Sequence, residues 1–518
     1  MALPLVMGAV IALRVRLLTL PLDRDEGGYA YVGQLILRGV PPYVSAYDFK
    51  MPGIYATYAA ILAIFGQSPA GVHLGLLVAN AAGTVLVFAL GWRLLRPAGA
   101  VGAAATFAVL SLSPRVLGFS AYPEHFVLVP ALAGGLSLLT AARSGRRRWF
   151  VVSGILFGAA MLIKQSGIAF VIFGAVVAAL YAGRRGVWRL SPPALVLAAA
   201  ALPFALTCLG FALAGAFEKF WFWTVVYARH FAMEQSLLFA LAAARDPAER
   251  ILPGMFPAVA LAVGGAVALW RIEVAPRERA FIGLLAGFGV LSAAAGLHFR
   301  PHYFVLALPG VALLVGVAAD AVARRVPTRM RVLGPAAAFG VVLLPLAWLL
   351  VSDRDLVLER SPERVSRAIY GTNPFPESAT IARFLETHAA PDDRIAVMGS
   401  EPQIYFYARR PAATGHVYMY ALMEAHPYAA RLQREMIAEI EAARPRFVVL
   451  VNVAASWTVR PGSDRTLFRW WDEYQRDFDR VGFIDIFPDA TGYTWGAPAA
   501  HIEAKSPVWI AVFERRSR

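Results

Sequence analysis

The chain holds one cysteine, only four lysines, and just 16% charged residues in 518. Each scarcity excludes something. The lone Cys208, set in "LPFALTCLGFALAG", rules out an intramolecular disulfide, so any water-facing part must be held by its own core. Little charge together with 58% hydrophobic residues excludes an ordinary soluble protein, whose apolar share is nearer ~45–50%. Internal repeats and low-complexity tracts are also lacking. "MALPLVMGAVIAL" has neither a basic start nor a small-x-small cleavage site, so no cleavable signal peptide is expected. Arg14 and Arg16 interrupt the first apolar run, which leaves an upstream start open.

What remains is distributed in two blocks. Long Ala/Leu/Val/Gly runs fill residues 1 to about 351, and a mixed polar and apolar stretch follows. A formal charge of +15 would suit nucleic acid if it were spread over a soluble surface, but its location excludes that reading. Five short connections carry Arg93 and Arg96; Arg143, Arg146, Arg147 and Arg148; Arg184, Arg185 and Arg189; Arg271, Arg277 and Arg279; and Arg324, Arg325, Arg329 and Arg331. They contain two acids, Glu273 and Glu278, and so hold fourteen of the fifteen net charges. Cytoplasmic loops collect Lys and Arg, so the basicity is topological.

Apolar length predicts about eleven crossings: 2–20, 72–92, 99–116, 124–142, 150–163, 167–182, 192–215, 254–270, 280–296, 305–322 and 332–351. With the N-terminus cytoplasmic, every arginine loop falls inside. The outer face then receives 21–71, 117–123, 164–167, 216–253, 297–304 and everything after 351. The run 54–66 is too short to cross and is expected at the outer interface. The expected division is a transmembrane domain over 1–352 and an extracytoplasmic α/β domain over 353–518. The second carries strand-like runs "DRIAVMG", "RFVVLVNV" and "VWIAVF" and helices at about 377–389 and 425–443.

The outer loops hold the chemistry. "LDRDEGGYAYVGQLILRGVPPYVSAYDFKMPG" brings Asp23, Asp25, Glu26, Asp48 and Lys50 to the outer face, with Tyr29, Val32, Leu35 and Ile36 spaced for a short interfacial helix. "AYPEHF" adds Tyr122, Glu124 and His125; "LIKQSG" adds Lys164; "LHFRPHYF" adds His298, Arg300, His302 and Tyr303. Each has a plain structural explanation: helix capping for the acids, snorkelling for Lys164, hydrogen-bonded core positions for the histidines. Ionisable groups at membrane depth otherwise mark a site, and here carboxylates and cations recur on one face. All four lysines, Lys50, Lys164, Lys219 and Lys505, fall on that face too.

"DRDEGGYAYVGQLILRGVPPY" followed by "FKMPG", then "PEHF", "LIKQSG" and "RPHYFVLALPG" in that order, resembles the GT-C polytopic glycosyltransferases over roughly residues 1–350. The similar group contains the protein O-mannosyltransferases, the lipid A aminoarabinose transferase and the Rgt-type lipopolysaccharide core transferases. "KMPG" departs from the Lys-Pro-Pro of many relatives, and Glu124 stands where relatives often have Asp. The resemblance implies transfer of a hexose or pentose from a polyprenyl-phosphate donor to a glycolipid, glycan or protein acceptor, by an inverting displacement at the outer face of a bacterial inner membrane. The residue types suit it: Asp25, with Glu26 second, as base toward an acceptor hydroxyl, and Lys50 and Arg300 as cations for the leaving phosphate. Glu124, Lys164, His302 and Tyr303 complete the expected substrate-binding set. No metal-ligand spacing is present, and a divalent ion beside Glu124 and His125 is left open. Tyr405, Tyr407, Tyr418 and Tyr420 are expected either to stack on sugars or to form a strand's core face. A lipid-linked sugar flippase is the alternative function.

Overall fold

The computed structural model describes residues 2–182, 191–233, 237–325 and 333–516. Arg184, Arg185, Arg189, Arg329 and Arg331 lie outside the described residues. Helices dominate the first block: α1 (Ala2–Val15), α2 (Arg24–Leu37), α3 (Pro52–Phe65), α4 (Pro69–Leu94), α5 (Pro97–Leu110), α6 (Pro123–Ser144), α7 (Arg148–Ile163), α8 (Ile168–Ala182), α9 (Pro192–Leu213), α10 (Phe217–Trp221), α11 (Ala228–Met233), α12 (Leu237–Leu269), α13 (Pro276–Ala294), α14 (Leu308–Arg325) and α15 (Leu333–Ser352). Each of the eleven expected spans coincides with one of them. Among the described residues five stretches are long and apolar enough to cross a membrane: Pro69–Leu94, Pro123–Ser144, Pro192–Leu213, Leu238–Leu269 and Pro301–Arg325. Others are short. The 14 residues of α5 reach about 21 Å at ~1.5 Å per residue, less than a ~30 Å hydrocarbon core. That helix is buried along its length, with Ala100, Ala103, Ala104 and Phe107 enclosed, so its neighbours rather than lipid surround it.

Two of the expected outer segments are helical. Between 216 and 253 the described residues form α10, a π-helical turn over Phe222–Tyr227, α11 and the first half of α12. In α2 no face is left bare. Glu26 through Leu35 are all buried, because the bundle covers one side and the C-terminal block covers the other.

That second block comprises α16 (Arg354–Leu358), α17 (Pro362–Tyr370), α18 (Phe375–His388), β1 (Ile395–Met398), α19 (Gln403–Ala408), α20 (Tyr420–Met423), α21 (Ala429–Ala443), β2 (Phe447–Asn452), α22 (Ala454–Trp457), α23 (Thr466–Tyr474), β3 (Phe478–Ile486), β4 (Thr491–Trp495) and β5 (Trp509–Arg515). Its sheet runs β1-β2-β5-β3-β4, parallel between β1 and β2 and antiparallel elsewhere. The three strand-like runs become β1, β2 and β5. The hairpin β3–β4 goes unseen in the sequence, because Asp479, Arg480, Gly482 and Gly492 break the alternation that marks a half-buried strand.

The two blocks share one core. Tyr29, Tyr31, Tyr55 and Tyr58 of α2 and α3 are continuous with Ile404, Tyr405, Leu422 and the sheet residues Val397 and Val449. Full burial of a large apolar side chain contributes roughly 1.5–3 kcal/mol. An aromatic seam of this size therefore fixes the C-terminal block against α2 and α3.

Candidate functional site

"DRDE" can now be resolved residue by residue. Asp23 is the N-cap of α2: its Oδ1 accepts from the Glu26 N–H at 2.9 Å, and Glu26 Oε2 accepts in return from the Asp23 N–H at 3.2 Å. This reciprocal pair is a capping box. Both carboxylates have further tasks. Asp23 Oδ2 accepts from the Tyr122 hydroxyl and, at 3.0 Å, from Tyr370. Glu26 Oε1 accepts from the Ala121 N–H at 2.5 Å and faces His73 Nε2 at 3.2 Å. Burial, then the charges of Glu26 and Asp25, push the Asp23 carboxyl up to about 7, against the opposing hydrogen bonds. Glu26 is fully buried and its bonds tie α2 to α4 and to the 111–122 loop. Asp25, half-buried between them, has no hydrogen-bond or ion-pair partner among the described residues.

Lys50 is held by its backbone rather than by its ammonium. Tyr43, in the left-handed region at φ 67°, donates its hydroxyl to the Lys50 carbonyl at 2.6 Å. Gln165 Nε2 donates to the Phe49 carbonyl at 2.7 Å. Asp48, whose oxygens accept from the Phe49 N–H at 2.7 Å and the Tyr55 hydroxyl at 2.8 Å, fixes the same turn. The ammonium lies 4.1 Å from the centre of the Phe49 ring, and among the described residues no carboxylate lies within ion-pair distance. Burial works to lower its pKa, but Asp25, Asp48, Tyr303 and Glu124 outweigh that and hold Lys50 charged, above its ordinary value. Asp25, Lys50, Glu124 and Tyr303 are thus brought into one electrostatic neighbourhood.

The opposite wall comes from α6, the α7–α8 turn and the segment before α14. Lys164 pairs with Oε1 of the fully buried Glu124, and its ammonium sits 3.5 Å from the centre of the Tyr303 ring. Among the described residues Oε2 of Glu124 is buried without a partner, as is Nδ1 of His302, whose ring stacks on Tyr122 at 3.9 Å. Arg300 precedes the 3₁₀ turn Pro301–Ala307 and is exposed, and Leu297 and Phe299 just before it adopt positive φ of 59° and 46°. Burial first, then Arg300 and Lys50, depress His298 to about 4, so it is neutral at physiological pH. Among the described residues no three His, Cys, Asp or Glu side chains converge on a metal position. His125 turns its Nδ1 to Asn80 Oδ1 at 3.0 Å, and one oxygen of Glu124 pairs with Lys164.

The tyrosines divide. Tyr405 is buried and its hydroxyl oxygen accepts from the Val397 N–H of β1 at 2.8 Å; that of Tyr407 accepts from the Leu22 N–H at 2.8 Å. Both are structural, on helix α19 and not on a strand. Tyr418 and Tyr420 instead stack on each other at 6.0 Å beside α2. Burial pushes Tyr420 up to about 12, with Arg24 and Arg300 opposing and Asp25 and Glu401 assisting, so this ring stands among all four charges. Sequence reasoning missed Arg24 and Glu401 altogether. They are 377 positions apart and meet at 2.6 Å.

A bundle of apolar helices, a carboxylate near a charged lysine, and a mixed-sheet domain packed against them resemble the GT-C glycosyltransferase fold. Comparison with known proteins agrees. Residues 50–211 match the family model of dolichyl-phosphate-mannose-protein mannosyltransferase. The whole chain is similar in structure to ArnT from Cupriavidus metallidurans bound to undecaprenyl phosphate, with 17% identity, a TM-score of 0.57, and 86% of this chain and 92% of that one covered. It is similar to the apo state of the same protein, at 15% identity, a TM-score of 0.56 and coverage of 97% and 96%. The Archaeoglobus fulgidus oligosaccharyltransferase in its apo form shares the fold at 12% identity, a TM-score of 0.50, and coverage of 96% and 74%. No curated protein sequence matches the chain. The GT-C resemblance drawn from the sequence is borne out, as is the expectation of a multi-pass membrane fold with a C-terminal mixed-sheet domain, and the glycosyltransferase family match over 50–211 agrees with the expected enzyme class.

Proposed function

We propose that this chain transfers a sugar from a polyprenyl-phosphate carrier to a lipid, glycan or protein acceptor at the outer face of a bacterial inner membrane, with residues 1–352 in the membrane and 353–518 outside it. The observation that carries the reading is the state of the first-loop acids. Asp23, Glu26 and Asp48 are engaged by protein hydrogen bonds, and Asp25 alone is unengaged, in the neighbourhood of a charged Lys50. In the proposed step the acceptor hydroxyl gives its proton to the Asp25 carboxylate. Its oxygen attacks the anomeric carbon, and the bond from that carbon to the phosphate oxygen breaks with inversion. The electron pair leaves with the polyprenyl phosphate, and Lys50 and Arg300 meet its negative charge. Glu124 and Lys164 hold each other and the Tyr303 ring, and His302 lies against Tyr122, so these four shape the wall behind the phosphate.

Purified protein in liposomes, given a labelled polyprenyl-phosphate sugar and an extract of acceptor lipids, tests the reading. Asp25→Asn keeps shape but cannot take up the proton, so transfer should fall on the order of 10²-fold with insertion unchanged. Transfer at close to the wild-type rate would remove Asp25 from the mechanism. Passage of the intact donor across the bilayer without transfer would favour a flippase instead.

A further inference from the structure

We propose that Glu401 is a positioning residue of the transfer reaction: through the Arg24 guanidinium it fixes the first turn of α2, and with it Asp25, making the C-terminal domain part of the catalytic apparatus. The proposal rests on Asp25 being the base. Three of four consecutive residues are anchored, on two sides. Asp23 and Glu26 reach into the bundle, to Tyr122, His73 and the Ala121 N–H. Arg24 reaches the other way. Its Nη2 meets Glu401 Oε1 at 2.6 Å and Asn373 Oδ1 at 3.2 Å, its Nε donates to the Ser400 carbonyl at 2.6 Å, and its guanidinium lies 5.5 Å from the centre of the Phe375 ring. Asp25 is the residue between these anchors.

Glu401 is itself held. It is 0% exposed, and its Oε2 accepts from Ser456 Oγ at 2.6 Å. That same Oγ accepts from the Ser400 N–H at 2.7 Å. Gly399, at φ 154°, lets β1 turn into this loop, and a Cβ there would stand 2.8 Å from Glu401 Oε2. Strand β1, α22 and the 399–401 turn therefore set one carboxylate, which sets one guanidinium. Stability alone is a poor explanation for the arrangement, because the desolvation of a buried ion pair commonly cancels its attraction, and well-packed apolar residues serve as well. What the planar guanidinium adds is direction, since it receives its partners in a fixed plane. Catalytic groups lose rate when displaced by about an ångström.

Glu401→Gln keeps the shape and removes the charge that orients Arg24. The expected result is a fall in kcat of about tenfold or more, with the donor KM within about twofold. In an Asp25→Asn background the same substitution should cost almost nothing further, because the group being positioned is already gone. A full multiplicative loss in that background would overturn the positioning role while leaving Asp25 as base. Wild-type kcat in Glu401→Gln would overturn it too, and near-wild-type activity in Asp25→Asn alone would remove both. Should Glu401→Gln misfold because Arg24 is left unpaired, Arg24→Gln/Glu401→Gln carries no orphaned charge. A folded double variant with wild-type kcat would refute the proposal, and one with the same kcat loss would support it.

Discussion

Two adjacent glycines in α2 give opposite answers depending on whether the C-terminal domain is clamped there. In an isolated helix, Gly→Ala stabilises by ~1 kcal/mol. Here a Cβ on Gly27 would lie 2.4 Å from Gln403 Cβ and 2.7 Å from its Cα and N, and backbone of this kind cannot yield without moving α19. A Cβ on Gly28 would lie 1.7 Å from the Tyr418 hydroxyl oxygen and 2.7 Å from its Cζ. That side chain can swing, at the expense of its 3.3 Å bond to the Arg24 carbonyl and its stacking on Tyr420. Overpacking of this sort costs ~1–3 kcal/mol, which outweighs the helix gain. Gly27→Ala should therefore destabilise more than Gly28→Ala, and both should melt below wild type in detergent at a fixed scan rate. Tyr418→Phe removes the atom at 1.7 Å and leaves the nearest at 2.7 Å, so it should restore most of the loss in Gly28→Ala and none in Gly27→Ala. A Gly27→Ala protein as stable as wild type or more so would show that only helix propensity matters there, and the clamp would be refuted.

Lys50→Met and Arg300→Met should each raise the KM for the polyprenyl-phosphate donor by about tenfold, since each removes a charge that would pair with phosphate; unchanged donor kinetics in both would reject that assignment. Asp23 gives a pH signature. Its carboxyl is pushed from 3.8 to about 7, and a raised carboxyl contributes stability that is complete below the unfolded value and lost as pH climbs to the folded one. Asn caps as well as Asp and does not ionise, so Asp23→Asn should gain on wild type between pH 5 and 7, by up to ~3 kcal/mol at 1.36 kcal/mol per unit; parallel melting curves over that range would contradict the burial of Asp23. Orientation is tested in a Cys208→Ala background with cysteine at exposed Ser144 or at exposed Ala490 in the β3–β4 turn. An impermeant thiol reagent should spare the first in intact cells and label the second once the outer envelope is opened, and the reverse pattern would overturn the topology.

Membrane architecture was legible in the sequence because two signals that do not depend on tertiary packing, apolar length and arginine sidedness, agree along the chain. Helices α4, α6, α9 and α14 needed nothing more. Acid roles were only half legible. Ser/Thr/Asp followed three residues later by Glu is the signature of a capping box, and "DRDE" contains it as Asp23 and Glu26, which frees Asp25 from the cap. The same string also allows a simple cap at Asp25, because an Asp alone can cap and nothing else local fixes where the first helical turn begins. What decides it is Tyr122, Tyr370 and His73, which bond Asp23 and Glu26 from 99, 347 and 47 positions away. Glu401 is less visible still. Its loop looks like any polar turn after a strand, and only the folded approach of Arg24 turns a buried carboxylate from a cost into a fixed point. A residue that holds another in place is defined by the partner it meets, and the local sequence does not name that partner.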